Sequence, residues 1–320
     1  MRGVAAETDA TALLSLDSNQ SWRWIVTASV LKERLNGYPN FGAVFGIVFN
    51  GHSAYTLAPM IGLVKDIYAR RDLLSMLVIR NVKIRYKESV LGFLWTLLGP
   101  VFLIAIYGVF MKIIMKFPMP MEVLVSGIFV WQYLAMCLGD SSFAIIGNAN
   151  LVKKACFPRV LLPLSIVLAN FVNFLLSLLV MMVYLLFMGP HLGGIAWLPL
   201  ALVAHLTLCT GISLALSALN VFFRDVQHLT GIFTMAWFFL TPVVYDISMI
   251  APITDKHPIL GQLYFLNPMA GILALYRSAL LGNPLPSLSL IMLSVGMTAV
   301  VFVAGIIIFQ KLQPGFSDEL

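Results

Sequence analysis

Charged residues are scarce in this chain of 320 amino acids, where Asp, Glu, Lys and Arg together make up only 11%. A soluble domain carries about 25% of these residues. Hydrophobic residues make up 60% of the chain, and its mean hydropathy is +0.93. This balance excludes a water-soluble enzyme and a disordered tail, and it predicts an all-α integral membrane protein that crosses the bilayer several times.

Cysteine is also scarce, and recognisable catalytic motifs are missing. The three cysteines, Cys137, Cys156 and Cys209, lie far apart without metal-binding spacing, so we expect neither a disulfide framework nor a zinc site. The chain has no GxxxxGK[ST] phosphate loop and no HExxH or GxSxG motif. We therefore predict that this chain is not an enzyme, binds no metal or cofactor, and leaves any ATP hydrolysis to a separate polypeptide.

Six apolar stretches are long enough to cross a bilayer, which takes about 20 residues each. They are predicted at 91–113, 122–146, 161–188, 194–221, 229–247 and 287–309. With the N-terminus placed inside, sixteen of the 20 Lys and Arg residues fall on the inner side. Because basic loops stay in the cytoplasm, both termini are predicted to be cytoplasmic. Basic residues in the cytoplasmic loops thereby account for the net charge of +6, so we expect no nucleic-acid partner.

Residues 66–88 predict an amphipathic helix that lies in the cytoplasmic interface just before the first span. Its predicted apolar arc holds Ile67, Leu73, Leu74, Leu77, Val78 and Ile84, and its polar arc holds Asp72, Arg80, Lys83 and Lys87. Such a helix is a simple membrane anchor, a contact for a cytosolic partner, or both.

Two loops mix charge with apolar residues or proline. The predicted cytoplasmic loop 148–160 carries basic and apolar side chains together, which suits a short helix seated in a groove on a partner. The largest predicted external segment, 248–286, is rich in proline and is interrupted at Asn267–Pro268. It predicts a re-entrant or surface helix pair between spans five and six. The residues assigned to this external segment are Tyr245, Asn267, Pro268, Tyr276 and Arg277.

Aromatic residues are frequent in the first two predicted spans, where Trp131-Gln132-Tyr133 stand together. Interfacial belts and core packing account for most aromatic residues of membrane proteins. The alternative is a lining on which the apolar faces of sugar rings stack while polar groups bond the hydroxyls. The candidates for this lining are Trp95, Phe102, Tyr107, Phe129, Trp131, Gln132 and Tyr133.

The order of five stretches resembles the ABC-2-type permeases of polysaccharide exporters, which serve O-antigen, teichoic acid and capsule. The matching stretches are 80–100, 148–163, 220–228, 241–245 and 266–283. Together they span roughly residues 60–312. No one stretch is decisive, but five in the right order and spacing form a specific pattern.

The resemblance implies that two copies of this chain pair in the bacterial inner membrane, each with an ATPase subunit that binds ATP and Mg²⁺. The helix around 66–88 and the loop 148–158 would rest on these ATPases. The loop residues expected in this contact are Asn150, Leu151, Val152, Lys153, Lys154 and Phe157.

The resemblance also implies a lipid-linked polysaccharide as substrate, typically carried on a polyprenyl diphosphate. The anionic diphosphate would suit a basic cytoplasmic mouth formed by Arg80, Lys83, Arg85 and Lys87. Anchoring against anionic lipid explains the same four residues without a substrate.

The predicted organisation has four parts. Residues 1–59 match nothing in the family pattern and are a mis-start or a dispensable extension, 60–90 form the interface helix, 91–312 the transmembrane domain, and 313–320 a cytoplasmic tail. An exporter of small lipophilic molecules is a second interpretation. A membrane-bound polyprenyl-phosphate glycosyltransferase is a third, although it would need clustered acids at the membrane surface.

Overall fold

A computed structural model describes residues 67–87, 89–116, 120–154, 157–188, 192–246 and 258–320, in which every regular element is helical. The helices are α1 (Arg71–Tyr86), α2 (Trp95–Tyr107), α3 (Met121–Ser142), α4 (Ala149–Lys154), α5 (Leu161–Met188), α6 (Leu198–Phe222), α7 (Val226–Leu240), α8 (Pro258–Phe265), α9 (Pro268–Leu281), α10 (Leu288–Leu312) and α11 (Phe316–Glu319). The predicted extension 1–59 lies outside the described residues.

Four of the helices are long and apolar enough to cross a membrane, namely α3, α5, α6 and α10. The helices at the first and fifth predicted spans are shorter. Pro100 interrupts the hydrogen bonding of α2, which then widens into a π-helical segment, Gly108–Ile114. α7 ends at Leu240 because Thr241 precedes Pro242 and takes an extended conformation, so the helix stops before the predicted 247.

α8 and α9 form a bent helix pair. Their axes differ by 86°, and the break falls at the predicted Asn267–Pro268 position. α9 is buried along nearly its whole length, between α3, α6 and α10. A helix that is buried on every face must be apolar all round, and α9 departs from this mainly at Arg277.

α6 and α10 form the most extensive helix contact in the described structure. The two backbones meet at Gly211 and Gly305, where a Cβ added to Gly305 would overlap the Gly211 carbonyl. Small residues allow this close approach. The resulting van der Waals packing stabilises the helix pair, because the hydrophobic effect contributes little between helices in lipid.

α1 packs along α5, and the side that it buries includes part of the predicted apolar arc. Leu77 is buried, and Leu73, Leu74 and Val78 are partly buried. Ile84, near the end of the helix, is 59% exposed. Arg80 is partly buried, and it donates a hydrogen bond to Asn148 Oδ1 on a neighbouring element.

Candidate functional site

A groove of about 260 Å³ lies between α2, α3 and α5. Aromatic rings and polar amide or hydroxyl groups share its wall. The lining residues are Trp95, Gly99, Pro100 and Leu103 of α2, Phe129, Gln132, Tyr133 and Met136 of α3, and Asn170, Asn173, Phe174 and Ser177 of α5. The groove thus offers both apolar faces and hydrogen-bonding groups to a bound molecule.

Four of the seven predicted lining residues border this groove, namely Trp95, Phe129, Gln132 and Tyr133. Trp131 is directed elsewhere, since its ring meets Trp237 at 5.9 Å and Phe238 at 5.6 Å on α7. Phe102 is exposed beside Trp95, with 6.4 Å between ring centroids, and Tyr107 is partly buried.

Sequence reasoning missed the α5 side of the groove. Asn173, Phe174 and Ser177 come three, four and seven residues after Asn170, which places all four on one helix face. Three polar residues at this spacing inside an apolar span were the available signal. The ring of Phe174 stacks on Tyr133 with 5.0 Å between centroids, so α5 also supports the aromatic wall.

A charged cluster borders the groove at Asn170. Arg85 on α1 donates from Nη2 to Asp140 Oδ2 at 2.7 Å and to Asn170 Oδ1 at 2.5 Å. Asn170 in turn donates from Nδ2 to Asp140 Oδ2 at 3.0 Å. Three helices therefore meet in one hydrogen-bonded triangle, and one of its corners is part of the groove wall.

Two further polar contacts hold α1 in place. Arg80 donates to Asn148 Oδ1 at 2.9 Å, just before α4, and Asn81 donates to Ser165 Oγ at 2.9 Å on α5. α1 is therefore hydrogen-bonded both to the segment just before α4 and to α5.

The four predicted basic residues of the mouth separate into two groups. Arg80, Lys83 and Lys87 border an open cleft of about 400 Å³ on α1, together with Met76, Ile79 and Ile84. Arg85 is engaged by Asp140 instead. The cleft combines a strip of apolar surface with cationic groups, which suits an amphiphile with an anionic head.

The predicted ATPase-contact loop contains the short helix α4. Val152 is buried at 4% exposure and fixes this helix to the bundle, and Phe157 is partly buried. Asn150, Leu151, Lys153 and Lys154 are exposed. α4 thus presents one apolar and several polar side chains outward while Val152 holds its other face.

Residues 72–281 match the family described as ABC-2 type transporter. The chain belongs to this family. The match confirms the resemblance seen in the sequence, and with several apolar helices it implies a multi-pass membrane protein that works with an ATPase partner.

Two curated proteins show the extent of the similarity. An O-antigen export system permease protein RfbA of Myxococcus xanthus is 32% identical over 267 residues, which cover 82% of this chain and all of that protein. A protein of the same name from Klebsiella pneumoniae is 31% identical over 253 residues, covering 78% of this chain and 95% of that protein.

The predicted external segment of this ABC-2 permease is organised around Arg277. This side chain is 2% exposed, and it donates to the carbonyls of Tyr245 at 2.9 Å, Val243 at 3.1 Å and Val123 at 3.2 Å. The bonds to Tyr245 and Val243 satisfy carbonyls of the non-helical segment that follows α7, and the bond to Val123 connects this segment to α3.

Asn267 fixes the bend of the same segment. Its Oδ1 accepts from the Met269 amide at 3.1 Å and from Trp237 Nε1 at 2.9 Å, while its Nδ2 donates to Thr241 Oγ1 at 2.9 Å. Asn267 is therefore the N-cap of α9 and also a link to α7. Tyr276 points away into the aromatic core, with 5.9 Å between its ring and that of Phe174.

Proposed function

We propose that this ABC-2 permease is the transmembrane subunit of an exporter that moves a lipid-linked polysaccharide across the bacterial inner membrane. The names of the two relatives support a polysaccharide of the O-antigen type. The groove between α2, α3 and α5 is the observation that carries the proposal, because its chemistry matches a glycan.

Sugar rings have apolar faces and a rim of hydroxyls. In the groove, Trp95 supplies an accessible aromatic face, and Gln132 an exposed amide. Asn170, Asn173 and Ser177 add further hydrogen-bonding groups. Stacking tolerates sliding along a ring face, so such a wall holds a polymer without fixing its register.

The lipid diphosphate fits the cleft on α1. Arg80, Lys83 and Lys87 would bind the anionic head, and Met76, Ile79 and Ile84 would contact the polyprenyl chain. Arg85 contributes less to this site in the described conformation, because Asp140 already balances its charge. Anchoring of α1 on anionic lipid uses the same cations and is separated by the charge-reversal prediction below.

Six spans with both termini in the cytoplasm form part of the proposal. α2 with its π-helical continuation and α7 would be the first and fifth spans. Exposed apolar side chains on both helices support this assignment. Those more than half exposed include Phe102, Ile106, Ile232 and Met235. Such faces need lipid or protein against them, and a second copy of this chain would cover part of them.

Each of the two copies would bind one ATPase subunit through α4. Closure of the ATPases on ATP would then push on α4. The Arg80–Asn148 contact passes that motion to α1, and the Arg85 cluster passes it to the groove.

Depletion of the permease, followed by mass spectrometry of polyprenyl-linked glycans, tests the proposal. Accumulation of intracellular polymer together with loss of surface polysaccharide is the expected result. Unchanged surface polymer without any accumulated intermediate would overturn the polysaccharide assignment and favour an exporter of small lipophilic molecules.

A further inference from the structure

The last eight residues, predicted from the sequence as a cytoplasmic tail, are anchored to the helix bundle. Gln313–Gly315 form a 3₁₀ turn, and α11 follows directly. Phe316 is completely buried, with its ring 6.3 Å from that of Phe222 on α6 and 5.5 Å from that of Phe309 on α10. Residues 313–320, called the C-terminal brace below, therefore close one end of the helix bundle.

Arg159, in the loop that follows α4, holds this brace. It donates from Nη1 to the Gln313 carbonyl at 2.6 Å and from Nη2 to Ser317 Oγ at 2.6 Å. Its guanidinium also lies 5.9 Å from the centre of the Phe316 ring, within cation–π range. Hydrogen bonds from a charged donor are stronger than those between neutral groups, so the Arg159 guanidinium stabilises the position of the brace.

The brace and α4 lie side by side at the same end of the bundle, since α11 contacts both α4 and α6. The exposed residues of these two adjoining elements include Leu151, Lys153, Lys154, Ser317 and Asp318. A cleft of about 380 Å³ opens beside it, lined by Arg159, Gln310, Gln313 and Pro314.

We propose that the C-terminal brace and α4 together form the docking surface for the ATPase subunit, with Arg159 as the residue that positions the two parts. This inference rests on the proposed function, which places the ATPase at α4. The mixture of charges favours a protein over an anionic membrane, because Asp318 and Glu319 would be repelled by anionic headgroups. The adjacent cleft accepts a side chain or loop of the ATPase.

A photo-crosslinking amino acid at Asp318, in the full-length permease expressed with its ATPase, tests the contact directly. We expect a crosslink from Asp318 to the ATPase and none from Ile259, an exposed position on α8. Crosslinks from Asp318 to lipid alone, with none to the ATPase, would overturn the docking surface.

Co-purification of the ATPase with Arg159→Gln tests the positioning role. Loss of the two hydrogen bonds is expected to weaken ATPase binding about tenfold, while the amount of permease in the membrane stays the same. Arg224→Gln, an exposed residue in the turn before α7, is the matched control and should bind normally. Normal binding by Arg159→Gln would refute the positioning role.

The double variant Lys153→Glu/Lys154→Glu separates this inference from the proposed function. If both this double variant and Arg159→Gln still bind the ATPase normally, docking at α4 is wrong and the proposed arrangement fails. A different result is that the double variant loses the ATPase, Asp318 gives no crosslink and Arg159→Gln binds normally. Docking at α4 would then stand, and the C-terminal brace would be excluded from the docking surface.

Discussion

Arg85 and Asp140 form a 2.7 Å ion pair between α1 and α3, and they are 55 residues apart in the chain. Asn170 bonds to both partners and lines the groove. The pair therefore connects the helix that precedes the first span to the wall of the candidate substrate groove.

A double-mutant cycle should detect this connection. Arg85→Gln and Asp140→Asn each remove one charge, so each is expected to lower the melting temperature of the purified permease. The double variant should lose less than the sum, because an ion pair with 27% and 45% exposed side chains has a coupling energy of about 0.5–1 kcal/mol. Additive losses would show that the pair contributes nothing.

Arg277 is expected to be the most sensitive cation to substitution. Arg277→Met keeps the length of the side chain but leaves the carbonyls of Val123, Val243 and Tyr245 without this donor. Val123 keeps the hydrogen bond from Ser126 Oγ at 3.0 Å, so the carbonyls of Val243 and Tyr245 are the two left unpaired. At about 1–3 kcal/mol for each such group, we expect the free energy of unfolding to fall by at least about 2 kcal/mol, with a strongly reduced yield of folded protein.

Thermal unfolding in detergent measures the stability of Arg277→Met. The control variant is Arg224→Met, because Arg224 is exposed. Arg277→Lys should recover part of the stability, since an ammonium group donates to fewer of the three carbonyls. Equal stability of Arg277→Met and Arg224→Met would contradict the role assigned to Arg277.

Gly305→Ala should destabilise the contact between α6 and α10, because the new Cβ would overlap the Gly211 carbonyl. Gly296→Ala is the matched control on the same helix, where a Cβ meets open space. Alanine favours a helix over glycine by about 0.5–1 kcal/mol, so the control should be as stable as the parent or more stable. A melting temperature that rises in both variants would rule out the close approach.

Trp95→Ala is expected to lower export of surface polysaccharide. Loss of one stacking interaction of about 0.5–1.5 kcal/mol corresponds to a reduction of about two- to twelvefold. Phe102→Ala is the control, because Phe102 is similarly exposed on α2 but does not line the groove. Equal export by the two variants would remove Trp95 from the substrate path.

Charge reversal in the α1 cleft separates headgroup binding from membrane anchoring. Lys83→Glu/Lys87→Glu should reduce export while the permease still inserts in the membrane at parental levels, because the spans drive insertion. Quantitative membrane fractionation and surface-polymer staining report the two effects. Parallel loss of insertion and export would favour the anchoring role.

Local chemistry made several features predictable from the amino-acid sequence. Apolar runs predicted α3, α5, α6 and α10 to within a few residues, and the Asn267–Pro268 step located the bend between α8 and α9. These features depend on neighbours in the chain, since hydropathy and proline stereochemistry act over a few residues.

Helix orientation was less predictable. Trp131, Gln132 and Tyr133 are consecutive, yet successive residues of a helix point about 100° apart. The sequence put all three in one lining, whereas the structure turns Trp131 towards α7 and leaves Gln132 and Tyr133 at the groove. The neighbours of α3 decide which face meets the groove.

The amino-acid sequence by itself determined the membrane character, the positions of the long helices and the family pattern, because each is written in local composition and order. Only the tertiary structure decided that Arg85 pairs with Asp140, that Arg277 donates to three carbonyls, and that Phe316 is buried. These outcomes depend on which distant groups the packed helices bring within hydrogen-bonding or van der Waals distance, and no local pattern specifies such partners.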